Sequence, residues 1–232
     1  NGDYQRMYRQ KWEYYGGKSD AKVYASKPFD LKVLKSDLAM YITSDEDIIE
    51  LMNKIGYLEI VIKYIVSESL CNDLTGHDFP YEPSAYSTHD SGRVLKENRV
   101  KMHECWIRKN NVFYQDIKEC FESVIVNYKS DFELFAVKHT TDFRINRYSK
   151  GGFMSKHVDN IHHSHGQHYG YPQVSALLYL NDNYEGGEFY VADKKFCPAK
   201  GSAIIFPSNF MFPHEAKTVT KGTRWSIVTW LM

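Results

Sequence analysis

Residues 143–159 read FRINRYSKGGFMSKHVD, and the texture of this stretch decides the class of fold. Two short runs, 143–148 and 153–158, carry aromatic and apolar residues at strand length, and Gly151-Gly152 punctuates them as a turn. The same texture continues outward in both directions. Runs at 132–138, 174–180, 188–191, 203–206, 215–219 and 223–232 complete a set of eight expected strands. Asn181-Asp182-Asn183, Gly186-Gly187 and Lys221-Gly222 mark further turns between them. Many short strands at such spacing predict a mainly β chain with flanking helices, closed as a double-stranded β-helix, the jelly-roll barrel.

Upstream of residue 132 the pattern differs. The first 25 residues are rich in Tyr, Lys, Arg and Gln without a clear period, and read as an arm. Ser44-Asp45-Glu46-Asp47 precedes Ile48, Ile49, Leu51, Met52, Ile55, Leu58, Val61, Ile62 and Ile65, which predicts a capped helix over about 45–67. Residues 68–111, with Gly76, Pro80, Pro83 and Gly92, read as a long functional loop or insertion. Val112, Phe113, Ile117, Cys120, Phe121, Val124 and Ile125 predict a second helix over roughly 112–129. The expected organisation is therefore an arm, helices and long loop at 1–131, packed on a catalytic jelly-roll core at 132–232 within one compact domain. Helices ahead of strands are expected to cover the outside of one sheet.

Composition narrows the function classes. The chain has 232 residues, 29 of them basic and 29 acidic, so no global field favours nucleic acid or an anionic membrane. Cys71, Cys105, Cys120 and Cys197 form no C-x-x-C pair, which fits neither a zinc ribbon nor a disulfide frame and suits reduced thiols. No run approaches the length of a membrane-spanning helix, and residues 1–17 lack the apolar centre of a signal peptide. The expectation is a soluble cytoplasmic protein with no membrane or nucleic-acid partner.

The chemistry gathers in the strand region. On a strand, residues two apart face the same side, so His157 and Asp159 project together while Val158 turns away. His214 lies far downstream, with intervening strands available to return it to the same cavity. Two imidazoles and one carboxylate can hold one face of an Fe(II) ion and leave three positions open, whereas a four-ligand zinc site leaves none. Arg224 on the last expected strand shares a face with Ser226, Val228 and Trp230, and its guanidinium can grip a carboxylate with two parallel bonds. Iron at one end and Arg224 at the other would span 2-oxoglutarate, and Tyr148 and Tyr179 could offer hydroxyls to it. The histidines at 162, 163, 165 and 168 read as a solvated polar loop rather than a metal site.

These residues resemble a known family. Arg147-Tyr148-Ser149-Lys150-Gly151-Gly152, His157-Val158-Asp159-Asn160, Leu178-Tyr179-Leu180-Asn181-Asp182, Gly186-Gly187-Glu188, His214 and Arg224-Trp225-Ser226-Ile227 look like the catalytic domain of prolyl 4-hydroxylases, within the Fe(II)/2-oxoglutarate dioxygenases. The likeness covers roughly 132–232. It implies that His157, Asp159 and His214 bind iron, that Arg224 binds the distal carboxylate of 2-oxoglutarate, and that Tyr148, Tyr179, Ser226 and Trp230 line that site. Trp230 and the H-V-D-N form are similar to the oxygen-sensing branch. The branch that demethylates nucleic acid carries a second arginine where Trp230 stands here. The implied reaction decarboxylates 2-oxoglutarate to succinate and CO2 while hydroxylating an unactivated C–H bond, with ascorbate as reductant. A prolyl residue of a peptide or protein is the implied substrate. The loops at 68–111 and 160–173 would wall it, with Trp106 and neighbouring tyrosines against the ring. Another side chain or a free amino acid is the alternative substrate, and a metal-binding jelly-roll module without turnover is the alternative outside enzymes.

Overall fold

The computed structural model describes residues 60–62, 65–85, 98–132, 135–137, 139–160 and 171–232. In chain order the elements are β1 (Ile60–Ile62), α1 (Glu68–Gly76), β2 (Glu82–Pro83), β3 (Val100–Lys101), β4 (His103–Ile107), α2 (Tyr114–Asp131), β5 (Phe143–Tyr148), β6 (Phe153–His157) and β7 (Val174–Tyr179). There follow β8 (Glu185–Gly186), β9 (Phe189–Val191), β10 (Lys194–Phe196), β11 (Ala203–Pro207), β12 (His214–Ala216), β13 (Val219–Lys221) and β14 (Arg224–Leu231). A seven-stranded sheet runs β1-β11-β7-β14-β5-β4-β2, and a five-stranded sheet runs β10-β9-β12-β6-β3. The short pair β13-β8 forms a third ladder. All the pairings are antiparallel, as a jelly roll requires.

Strand parity divides the apolar residues between two cores. Tyr148, Leu177, Tyr179, Val228 and Trp230 meet Phe189, Val191 and Ala216 of the other sheet in the barrel interior. Residues of opposite parity, Phe143, Ile145, Leu178 and Ile227, face outward into a second core with α2. This explains why all six residues of β7 are buried: its sheet is covered on both faces. On α2, Ile117, Phe121, Val124 and Tyr128 recur at helical spacing and form the stripe that docks, with the Phe121 and Phe143 rings stacked at a 5.3 Å centroid distance. The helix begins after Val112, which stays 80% exposed, so the expected apolar stripe overran the start of the helix. At α1 the Ser67 hydroxyl accepts from the Leu70 amide at 3.2 Å, and Cys71 and Leu74 enter the same outer core.

Several expectations are corrected. The helix expected over about 45–67 does not hold at 60–62, where β1 pairs with β11 in the register Ile60 opposite Ile205; Ile-Val-Ile is a β-branched run that suits a sheet edge. Residues 45–59 of that expectation lie outside the described ones, as does the N-terminal arm. The expected loop at 68–111 instead supplies α1 and three strands: β4 pairs with β5, β2 with β4, and β3 with β6. Of the strand expected at 132–138, the described residues 132 and 135–137 are not strand. Phe132 and Phe135 pack against Tyr128 at 4.6 and 5.1 Å, so these aromatics close the end of α2 rather than extend a sheet. The hairpin β9-β10 went unforeseen because its two-residue turn is Ala192-Asp193, with φ of 47° and 65°, where glycine or asparagine would have signalled it.

Among the described residues, no helix is long and apolar enough to cross a membrane. The four cysteines are free thiols.

Candidate metal and co-substrate site

The turn between β5 and β6 sets the position of the first two candidate ligands. Gly151 has φ +82°, and a Cβ on Gly152 would stand 2.7 Å from the Ser149 carbonyl oxygen and 2.9 Å from that of Lys101. Only a residue without a side chain lets β6 leave the turn this closely against β3. His157 closes β6, Asp159 follows two residues on, and His214 opens β12 directly opposite His157 in the antiparallel register. The strand return expected for His214 thus brings the two histidines together as a cross-strand pair, with ring centroids 4.2 Å apart.

One ligand atom from each of His157, Asp159 and His214 lies within 4.8 Å of the others. His157 Nε2 is 3.4 Å from Asp159 Oδ1, and His214 Nε2 is 3.3 Å from Asp159 Oδ2. Each imidazole turns its other nitrogen to a backbone carbonyl: His157 Nδ1 to Ser155 O at 2.9 Å, and His214 Nδ1 to Phe212 O at 3.2 Å. Donation from Nδ1 leaves Nε2 as a lone pair aimed into the cluster, the tautomer that a metal ligand needs. Burial opposes ionisation of Asp159, but the two imidazoles outweigh it and hold its carboxyl well below the usual carboxylate range. Burial, reinforced by the neighbouring His214, pushes His157 below the ordinary imidazole value, so it stays neutral and able to ligate. Ser175 Oγ donates to Asp159 Oδ2 at 2.6 Å and lies 2.7 Å from Ser208 Oγ. These two hydroxyls orient the carboxylate from behind.

Arg224 occupies the start of β14, opposite Tyr148 on β5. It is 1% exposed, and its guanidinium lies 4.8 Å from the Tyr148 ring and 5.1 Å from the Tyr179 ring. One terminal nitrogen donates to the Tyr179 hydroxyl at 3.2 Å, while Nε and the other terminal nitrogen have no hydrogen-bond partner among the described residues. Ser226 Oγ, two residues on along the same face, is also buried without a partner. Burial works against the charge, yet Tyr179, Tyr148 and Tyr184 raise the affinity of Arg224 for its proton above the usual guanidinium value, so it remains a cation. Burial in turn raises Tyr148, Tyr179 and Tyr184, which stay protonated as donors. A Cβ on Gly187 would stand 3.2 Å from Arg224 Cδ, so this glycine makes room for the arginine's stem. A buried cation with unspent donors and no carboxylate in an ion pair with it among the described residues is built to receive an anion.

Tyr148 joins the two halves, because its side chain lines one cavity with His157, Asp159, His214, Met102, Arg144, Asn146 and Trp230. The donor set fits a divalent metal of the Fe(II) class at the triad, and the orphaned donors of Arg224 and Ser226 fit a dicarboxylate. Sequence reading missed Ser175, Ser208, Asn146, Arg144 and Tyr184. Parity could have found three of them: Ser175 shares the inward face of Tyr179, and Asn146 and Arg144 share that of Tyr148. Ser208 and Tyr184 sit in connections, where no period points to them. The histidines at 162, 163, 165 and 168 lie outside the described residues.

Residues 143–232 match the family described as the 2OG-Fe(II) oxygenase superfamily. They form a 2OG-Fe(II) oxygenase domain. The chain is similar to human prolyl 3-hydroxylase 2, with 39% identity over 69 residues that make up 27% of this chain and 10% of that protein. The chain thus spans about a tenth of the length of such relatives. In solved structures the fold matches the prolyl hydroxylase of Trichoplax adhaerens bound to a hypoxia inducible factor peptide fragment, with a TM-score of 0.60, 19% identity, and coverage of 78% of this chain and 86% of that one. It also matches the viral collagen prolyl hydroxylase of Paramecium Bursaria Chlorella virus-1 in a 2OG complex, with a TM-score of 0.59, 16% identity, and coverage of 76% and 96%. Outside the oxygenase domain, residues 2–72 match a second family, described as the recombination, repair and ssDNA binding protein UvsY.

Proposed function

We propose that this chain hydroxylates a prolyl residue of a peptide or protein, using Fe(II) held by His157, Asp159 and His214 and 2-oxoglutarate anchored by Arg224. The observation that carries this reading is the buried guanidinium of Arg224, two of its nitrogens without a partner among the described residues, packed on Tyr148, which itself lines the cavity of the triad. In the overall reaction 2-oxoglutarate, O2 and a C–H bond become succinate, CO2 and a C–OH group. Fe(II) with its co-substrate supplies the oxidising power when bound. The residues of this chain do the rest. Arg224 pairs with the distal carboxylate, Ser226 and Tyr179 offer hydroxyls beside it, Ser175 fixes Asp159, and Trp230 walls the substrate end. Ascorbate as reductant belongs to the same proposal. The prolyl assignment draws on the prolyl hydroxylases that this domain resembles in sequence and fold.

The test is succinate release with Fe(II), 2-oxoglutarate and a library of proline-containing peptides, followed by mass spectrometry of the peptides. The expected outcome is iron-dependent succinate matched by gain of one oxygen on proline. Amino-acid analysis of the product then separates attack at C4, which the prolyl 4-hydroxylase likeness favours, from attack at C3. Succinate without peptide modification would move the substrate to another side chain or a free amino acid. No iron-dependent succinate under any condition would favour a binding module.

A second reading attaches to residues 2–72 alone. There Tyr4, Tyr8, Trp12, Tyr14, Tyr15 and Tyr24 interleave with Arg6, Arg9, Lys11, Lys18 and Lys22, a composition suited to stacking on unpaired bases beside phosphates. Fluorescence anisotropy with a labelled single-stranded oligonucleotide tests it, and salt-insensitive or absent binding would discard it.

A further inference from the structure

The pocket is lined by an arginine that neither the triad nor the co-substrate anchor uses. Arg144 lies on β5, and the ladder registers order its surroundings. Arg224 faces Tyr148, Ser226 faces Asn146, and Val228 faces Arg144 across β5 and β14. On the other side Glu104 faces Asn146, and Trp106 faces Arg144. Tyr148 lies four positions after Arg144, roughly 13 Å along a strand at the usual rise. Arg144 therefore belongs to a different layer of the barrel from Arg224. Its layer is the aromatic one: the guanidinium lies 4.8 Å from the Trp230 ring and 6.0 Å from the Trp106 ring, and the two indoles are 6.1 Å apart.

The Arg144 side chain is rigidly held. One terminal nitrogen pairs with Glu104 Oε2 at 3.3 Å, and that same oxygen accepts from Ser84 Oγ at 2.6 Å. Glu104 is only 3% exposed. The Arg144 Nε is buried and has no hydrogen-bond partner among the described residues, although its side chain lines the cavity beside His157 and Asp159. The donor is thus left unspent on a held side chain that lines the cavity where a substrate would lie.

Resting on the peptide-hydroxylase reading above, we propose that Arg144 is the specificity residue of this site. It donates to a backbone carbonyl of the substrate chain while the residue to be hydroxylated rests against Trp230, which lines the same cavity. The Glu104 partner decides the ligand class. A guanidinium neutralised by a buried carboxylate offers directional donors but little net charge, which suits the neutral amide carbonyl of a peptide and not the carboxylate of a free amino acid.

The test compares wild type with Arg144→Gln, Arg144→Lys and Glu104→Gln, each loaded with Fe(II) and 2-oxoglutarate without O2. The probes are an acetylated, amidated proline-containing peptide and free L-proline. Peptide affinity is read from indole fluorescence, and co-substrate affinity from the absorbance of the metal complex. Arg144→Gln is expected to weaken peptide binding by about ten-fold or more, as loss of a charge-assisted bond does, with co-substrate affinity unchanged. Arg144→Lys falls between. Glu104→Gln unmasks the cation and strengthens binding of free L-proline relative to the peptide. Peptide affinity untouched by Arg144→Gln overturns the proposal, as does an equal loss of co-substrate affinity, which would mark a merely structural role. Succinate assays in air separate this from the reading beneath it. If wild type makes succinate and Arg144→Gln binds peptide normally, only the role of Arg144 falls. If peptide binding depends on Arg144 but no succinate forms, the specificity role stands and the oxygenase activity falls.

Discussion

At the residue scale the site is a set of single atoms whose partners are already fixed or conspicuously missing. Ser175 gives Asp159 a 2.6 Å hydrogen bond from a fully buried position, so Ser175→Ala leaves the carboxylate freer to rotate. The expected outcome is a metal affinity lower by about ten-fold or more with the fold intact, measured by anaerobic titration with Fe(II) or Co(II). Asp159→Ala should abolish both metal binding at this site and 2-oxoglutarate turnover; normal turnover in that variant would end the assignment of the triad. Arg224→Gln removes the buried cation while keeping a polar side chain. Loss of one partner from a buried charged pair costs about 2 to 5 kcal/mol, so co-substrate affinity should fall by about thirty-fold or more while metal affinity holds. The gathering of His157 and Asp159 and the burial of Arg224 were legible because each rule needed was local: parity for the first two, an inward phase for the arginine. Glu104 was not legible, since its role depends on Arg144 and Ser84, brought to it from 40 and 20 positions away.

Elements position these residues, and their own physics is simple enough to test. Gly152→Ala would push a methyl into two backbone oxygens, neither of which can swing away. The expected destabilisation is about 1 to 3 kcal/mol, seen as a drop in Tm of several degrees. The docking face of α2 rests on Phe121, 2% exposed and stacked on Phe143; Phe121→Ala should cost about 3 to 5 kcal/mol in denaturant unfolding. β5, β6, β7, β9, β11, β12 and β14 were readable because most of the turns around them carry glycine or asparagine, whereas β10 followed a turn without either. β2, β3 and β4 were hidden because polar residues and prolines made 68–111 look like a connection, and their pairing with β5 and β6 is a tertiary choice that no local period announces. The run at 132–138 failed the opposite way: its aromatics suit a strand, but Tyr128 captured them at the end of α2.

For the whole molecule, ligands bound by several elements at once should appear as stability. Metal at a hundred times its dissociation constant adds about 2.7 kcal/mol, and the co-substrate adds its own increment. Thermal unfolding should therefore rise in two steps, with Fe(II) or Co(II) and then with 2-oxoglutarate; Arg224→Gln should erase the second step alone. The jelly-roll class was foreseeable from the spacing of turns, whereas the division into two cores needed the observed register. One arrangement carries a further consequence for biosynthesis. β14 is the last of these strands to be made, yet it lies in the middle of the seven-stranded sheet, between β7 and β5. A nascent chain stopped before it has a gap where the sheet should close, and it lacks Arg224. Both defects vanish together when that strand inserts, so the closing of the sheet and the arrival of the buried guanidinium are one event in synthesis rather than two.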